Sequence, residues 1–301
     1  MSIKILRIGT RDSELALWQA NKVCSFFKPN PFSTSIIKIK SLGDMDLTQP
    51  VYSMGIQGVF TKALDIALLE NQIDIAVHSL KDVPTKLPSG IVLGAILKRG
   101  SAKDVLVFTK KFDLKSFSTI ATGSLRRKAQ WLNRYPNHSI RDIRGNIKNR
   151  VNKLKNSNCH GAIFAKAGLD RIKPSGIHYQ ELDWMIPSAA QGAIGVVCRS
   201  DEPQVIEVLK SINDIETEKC IQIEREFLSL LEGGCTAPIG SHAEIVKNKI
   251  SFTGGLYSPD GNIAITVSKK VNISEYKNLA NIAVKDILKK GGHNIIKMIR
   301  K

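Results

Sequence analysis

"GVFTKALDIALLENQIDIAVHSLKDVP", residues 58–84, contains a change of period that sets the fold class. From Gly58 to Asn71 the apolar residues return at helical spacing. "IDIAV" (73–77) is then a short apolar run, the pattern of a buried strand, and it stops at the polar "HSLKDVP". Helix, strand and polar loop in that order predict an α/β layer whose strands run largely parallel.

The same rhythm extends outward. Upstream, "IKILRIG" (3–9) reads as a strand and "SELALWQANKVCSFF" (13–27) as a helix with Ser13 at its N-cap. "SIIKIK" (35–40) is another strand. The pattern restarts after Gly100. "DVLVFT", "STIAT", "SIRDI", "GAIFAK" and "QGAIGVVCR" read as strands, and "SLRRKAQWLNRY" and "NIKNRVNKLKNS" as helices. Two similar α/β units follow, although no sequence repeat links them. From Asp214 the character changes. "IETEKCIQIEREFLSLLEGG" is one amphipathic helix closed by glycines. "SHAEIV", "KISFTGGLYS" and "NIAITVSKK" alternate as antiparallel strands, and "LANIAVKDILKKGG" reads as a final helix.

Composition narrows the classes. The 301 residues suit two or three domains, and 43% hydrophobic with 24% charged residues is ordinary for a globular protein. No window approaches the eighteen or so apolar residues of a membrane helix. The start, "MSIKILRIGT", lacks the apolar run of a secretory signal, so a cytoplasmic chain is expected. Five widely spaced cysteines argue against a disulfide framework, and six scattered histidines against a structural zinc site. Net charge is +17. Lysine supplies 31 of the 44 basic residues, spread along the chain, but six of the 13 arginines fall between 126 and 150. A guanidinium suits bidentate binding of carboxylate or phosphate.

In parallel sheets ligands bind beyond the carboxyl ends of the strands. Four polar segments stand there: "GTRDS" (9–13), "HSLKDVP" (78–84), "TGSLRR" (122–127) and "RGN" (144–146). "TGSLRR" reads either as an anion cradle at a helix N-terminus or as a plain cap with exposed arginines. "RGN" reads as an anion-binding turn or an ordinary one. Asp82 is a candidate acid or charge stabiliser, or a turn cap before Pro84. His78 reads as a packed strand-end residue. Cys235, in the glycine-flanked "LEGGCTAPIGS" (231–241), is an inert thiol, a redox-sensitive thiol or a point of covalent attachment, the last requiring the thiolate.

Together "LRIGTRDSELALWQA", "ALLENQIDIAVHSLKDVPT", "TGSLRRKAQ", "IRGNIKNR", "AKAGLDR", "PSAAQGAIGVVCR" and "EGGCTAPIGS" resemble the porphobilinogen deaminase family nearly end to end. The resemblance implies two periplasmic-binding-protein-like α/β domains around a cleft and a smaller α+β C-terminal domain with an antiparallel sheet. Their expected spans are 1–97 with about 192–213, then 98–191, then 214–301. It implies a transferase that condenses four porphobilinogen molecules, with loss of ammonia, on a dipyrromethane cofactor held as a thioether by Cys235, and releases 1-hydroxymethylbilane. Asp82 matches the catalytic aspartate. Lys81, Asp82, Ser124, Arg126, Arg127 and Arg144 match cofactor-binding positions. Arg11, Ser13, Phe60, Arg150, Arg171 and Gln191 match substrate-binding or hinge positions. The resemblance further implies a monomer with no nucleic-acid or membrane partner and no metal.

The sequence departs from that family at Ser53 and Gln57, where lysines are common, and at Ile56 and Ala190, where glycine is common. Two other classes compete. A non-catalytic two-lobed polyanion-binding protein gives Cys235 no role. A nucleic-acid-binding protein fits the charge, but 6% aromatic residues supply base-stacking platforms poorly.

Overall fold

A computed structural model describes residues 5–27, 33–41, 58–110, 112–231 and 237–300. The segment from 42 to 57, with Ser53, Ile56 and Gln57, lies outside the described residues, as does Cys235. The chain begins with β1 (Ile5–Thr10), α1 (Glu14–Phe27), β2 (Ser33–Lys38), α2 (Lys62–Leu69), β3 (Ile75–Ser79) and β4 (Ile91–Ile96). It continues with β5 (Asp104–Phe108), β6 (Thr119–Ala121), α3 (Leu125–Arg134), β7 (Ser139–Arg141) and α4 (Ile147–Lys155). Next come β8 (Gly161–Ala165), α5 (Lys166–Ile172), β9 (His178–Glu181), β10 (Ile194–Arg199), α6 (Pro203–Lys210) and α7 (Ile215–Leu230). The last elements are β11 (Ile239–Val246), β12 (Lys249–Tyr257), β13 (Ala264–Asn272), α8 (Leu279–Ile287) and α9 (His293–Ile299).

These elements fall into two compact units. The first takes the described residues up to Ser41 with 58–100 and 192–218; the second takes 101–191 and the residues from Lys219 onward. The first unit is built on a five-stranded sheet of order β2-β1-β3-β10-β4, in which β1 runs parallel to both neighbours and β10 antiparallel to β3 and β4. The second unit has a five-stranded sheet of order β7-β6-β8-β5-β9, with β6 parallel to β7 and β8, and β5 antiparallel to β8 and β9. Each sheet is therefore mixed, not parallel throughout. The reversed strand is in each case the one that starts just after the chain has changed units, β5 after Gly100 and β10 after Gln191. Matching strand orders make the two sheets alike where no sequence repeat is visible.

Burial follows the predicted faces. In the first unit Ala20, Val23 and Phe27 of α1 cover Leu6, Ile8, Ile75, Val77 and Val196. Leu64 and Leu68 of α2 cover the opposite face at Ile73, Ala76 and Val197. Removing the Val, Leu, Ile and Phe side chains among these from water contributes roughly 1.5–3 kcal/mol each. In the second unit β11-β12-β13 form an antiparallel sheet packed on α7 and α8, centred on Phe227, Phe252, Leu256 and Ile287. Gly254 has no alternative there: a Cβ would lie 2.6 Å from the Phe227 ring. The expected final helix, "LANIAVKDILKKGG", ends early, and a further helix follows it. α8 ends at Ile287, Gly291 turns at φ +96°, and α9 resumes at His293. No helix among the described residues is long and apolar enough to cross a membrane.

Candidate active site

Parallel β1 and β3 deliver their following loops to the same edge of the first sheet, so Arg11–Ser13 and Ser79–Asp82 become neighbours. Antiparallel β10 begins at that edge, and the Leu80 amide donates to the Ala193 carbonyl at 3.1 Å. Ser13 accepts from the Ala16 amide at 3.3 Å, the N-cap bond of α1. A cavity of about 60 Å³ opens here, lined by Arg11, Ser13, Gln19, Phe60, His78, Ser79 and Asp82. The Arg11 guanidinium lies over the Phe60 ring, 4.3 Å from its centroid, a cation–π contact that fixes both side chains. Gln19 donates to the Ser79 hydroxyl at 2.8 Å. Asp82 is half-buried in a 3-10 turn (Leu80–Asp82) with Lys81 beside it, and its carboxylate makes no hydrogen bond or ion pair among the described residues.

His78 lines the same cavity and is 5% exposed, with Nε2 fully buried and unpartnered. Burial, aided by the charge of Arg11, pushes its pKa down to about 4, so the ring is neutral at pH 7. The unfolded chain, near 6.5, takes up a proton that the native ring excludes. His78 therefore removes about 3 kcal/mol of stability as pH falls from about 6.5 to about 4. The urea midpoint of His78→Asn, compared with wild type at pH 7, 5.5 and 4.5, is expected to gain on wild type as pH drops. A constant difference would contradict this.

In the second unit the loops after β6, β7 and β8 share one edge, and β5 starts there with Asp104 opposite Ala165. Ser124 caps α3 by accepting from the Arg127 amide at 3.4 Å. Arg126 and Arg127 do not face solvent; they are 5% and 6% exposed. Arg127 donates Nε and Nη2 to Asp104 Oδ1 at 3.0 and 2.7 Å and Nη1 to the Ile163 carbonyl at 2.9 Å. Arg126 Nη1 donates to the Ile186 carbonyl at 2.7 Å. It also forms an ion pair with Asp104 Oδ2 at 2.8 Å. Gln191 donates to Asp104 Oδ1 at 3.0 Å and to the Ala102 carbonyl at 2.7 Å. Burial alone would raise the Asp104 pKa, but the charges of Arg126 and Arg127 outweigh it and hold the carboxyl well below its usual range.

Arg144 sits in the turn before α4, where Gly145 takes φ +112° and Asn146 caps the helix by accepting from the Asn149 amide at 2.8 Å. Its Nη1 is buried without a hydrogen-bond partner. Arg150 stacks on Phe164, 4.6 Å from the ring centroid. Arg171, on α5, is partly buried, which lowers its pKa. No group of three or more metal-ligating side chains occurs among the described residues.

Residues 6–207 match the family described as "Porphobilinogen deaminase, dipyromethane cofactor binding domain", and residues 218–289 match "Porphobilinogen deaminase, C-terminal domain". The chain belongs to the porphobilinogen deaminase family. It is 37% identical to the porphobilinogen deaminase of Desulforamulus reducens over 98% of both chains. It is 38% identical to that of Geotalea uraniireducens, covering 98% of this chain and 95% of that one. The chloroplastic porphobilinogen deaminase of Oryza sativa is 39% identical over 89% of this chain and 78% of its own. Among solved structures, the Bordetella pertussis BvgS periplasmic VFT2 domain is 12% identical, covering 74% of this chain and 94% of that one at TM-score 0.43.

A dipyrromethane, the cofactor named for the matched family, carries carboxylates and pyrrole N–H groups, and each unit by itself offers groups of the complementary kind. Arg144 Nη1 is a buried donor without a hydrogen-bond partner, and the Asp82 carboxylate is an acceptor with none among the described residues. Three residues that the sequence reading passed over hold the frame. Asp104 gathers Arg126, Arg127 and Gln191. Glu224, fully buried on α7, accepts from the Ala190 and Ala243 amides at 2.7 Å each. Gln19 positions Ser79. Of these only Glu224 left a signal, a carboxylate on the apolar face of a helix. Ala190 takes φ +61°, the left-handed region that glycine occupies without strain, which gives the family's glycine at this position a physical reason.

Proposed function

We propose that the chain is a hydroxymethylbilane synthase, condensing four porphobilinogen molecules head to tail with loss of four ammonia and releasing linear 1-hydroxymethylbilane by hydrolysis for tetrapyrrole synthesis. The observation that carries this reading is a family match extending over both ends of the chain. A dipyrromethane attached through Cys235 supplies the primer from which the pyrrole chain is extended. Each pyrrole brings an acetate, a propionate and a ring N–H. Arg11 and Ser13 suit one carboxylate, and Phe60 offers a ring face held by Arg11. Asp82, with no partner among the described residues, suits the pyrrole N–H and the positive charge that develops on the ring as ammonia leaves. Lys81, Ser124 and Arg144 suit the carboxylates of the primer, and Arg150 and Arg171 those of the incoming substrate. Arg126, Arg127 and Gln191 act from their places around Asp104. Residues 214–301 form a domain of their own, supported by the separate core around Phe227. The reading includes a cytoplasmic location and a monomeric state, the latter tested by gel filtration.

Purified protein given porphobilinogen should release four ammonia for each tetrapyrrole, measured as porphyrin after oxidation. Failure to consume porphobilinogen would sink the reading. Asp82→Asn keeps the size of the side chain and removes its charge. Its kcat is expected to fall by about 10²–10³-fold, with porphobilinogen still bound. An unchanged kcat would remove Asp82 from the chemistry.

A further inference from the structure

We propose that a second cavity, beside β7, is a binding site for small oxyanions, carboxylate or phosphate, separate from the residues given to the reaction. It has a volume of about 390 Å³, within the range of small-molecule sites. It lies where the chain leaving β7 meets the last turns of α4 and the loop into β8. Arg141 and Lys153 line it, with Asn152, Asn156 and Cys159. Asp142 on the same wall is the one acidic residue against two cations.

The polar groups on this wall are poorly used by the protein itself. Among the described residues the Arg141 guanidinium makes no hydrogen bond or ion pair, nor do the side-chain carboxamides of Asn152 and Asn156. Lys153 makes one bond, to the Arg144 carbonyl at 3.1 Å. The C-terminal end of α4 disfavours an anion here, so any anion must be held by the two cations, which are side chains able to do so. A neutral or cationic ligand would leave both cations without a counter-charge. Arg141 is also one of two arginines in the 126–150 run, with Arg134, to which the reaction gives no part. The bond from Lys153 to Arg144 places this pocket one hydrogen bond from a turn assigned to cofactor carboxylates.

Cys159 is a built-in reporter. It is half-exposed, while Cys24, Cys198 and Cys220 are buried. The holoenzyme is treated at low salt with iodoacetate or with iodoacetamide, and Cys159 alkylation is followed by peptide mass. A site that concentrates anions should raise the iodoacetate-to-iodoacetamide rate ratio at Cys159 at least fivefold above that of 2-mercaptoethanol. Inorganic phosphate or citrate at millimolar concentration should suppress the excess, and R141Q with K153Q should abolish it. Protection by phosphate alone assigns a phosphate ligand, by citrate alone a carboxylate, and by both the shared chemistry. The protection arms need only wild-type protein, so a variant that misfolds leaves the test intact. A ratio equal to that of 2-mercaptoethanol, or a raised one that neither anion lowers, overturns the proposal.

Discussion

Replacing Cys235 by serine is expected to leave a folded chain with less than about a thousandth of wild-type activity and no bound pyrrole. A thioether forms from a thiolate, and a serine hydroxyl has neither the acidity nor the nucleophilicity to replace it. Wild-type protein under denaturing conditions should exceed its 33.2 kDa sequence mass by one dipyrromethane, and the variant should not. The other thiols supply a built-in control. Cys24, Cys198 and Cys220 are buried, and burial pushes the Cys198 thiol up to about 11, so none offers an accessible thiolate. Cys159 is the accessible competitor among the described residues, and extra mass retained in Cys235→Ser would point there. Wild-type protein that stayed at its sequence mass after incubation with porphobilinogen would sink the deaminase reading itself.

The succession of elements was legible because it rests on local period. Alternation and helical spacing put β1, α1, β3, α3, α4 and β8 where they are found. Strand direction was not. β5 and β10 look like any other apolar strand, and they run backwards because of where the chain changes units, which no local pattern records. β9 was missed because "HYQE" has no apolar run and lies largely exposed at the sheet edge. α9 was missed because Gly291 and Gly292 read as a terminus, whereas the chain turns at Gly291 and resumes the helix. The same division holds at the site. "TGSLRR" places a capped helix after a strand, and its arginines read either as part of an anion cradle or as exposed beside a plain cap. They are buried, and the carboxylate they meet, Asp104, stands more than twenty residues upstream at the head of "DVLVF", where a lone aspartate looks like a strand boundary. Spacing locates a side chain on its element; it does not say which buried carboxylate that side chain will meet in space.

Asp104→Asn is therefore expected to be among the most destabilising conservative substitutions in the chain. It preserves volume and one acceptor oxygen, yet leaves two buried guanidinium groups without a counter-charge. Breaking a buried ion cluster in this way costs about 3–5 kcal/mol, a large share of a typical folding free energy. The urea midpoint at pH 7 should fall accordingly. The acid side has a definite sign. The native carboxyl is held below its unfolded value of 3.8, so its contribution is present above about pH 4 and is lost as pH falls below that. Wild type and variant should then converge in stability in strong acid. A midpoint that does not move at pH 7 would show that the cluster contributes nothing. A second variant separates stability from binding. Replacing Asp104, Arg126 and Arg127 together by Leu, Met and Met removes the charges as a set, and such replacements are often neutral or stabilising. If the two arginines serve only the frame, this variant recovers both stability and the dipyrromethane mass. If they also hold carboxylates of the primer, it recovers stability while that mass and the activity are lost. The second outcome would mean that a cluster which organises the sheet edge also binds the ligand, with Asp104 holding both guanidiniums in place for it.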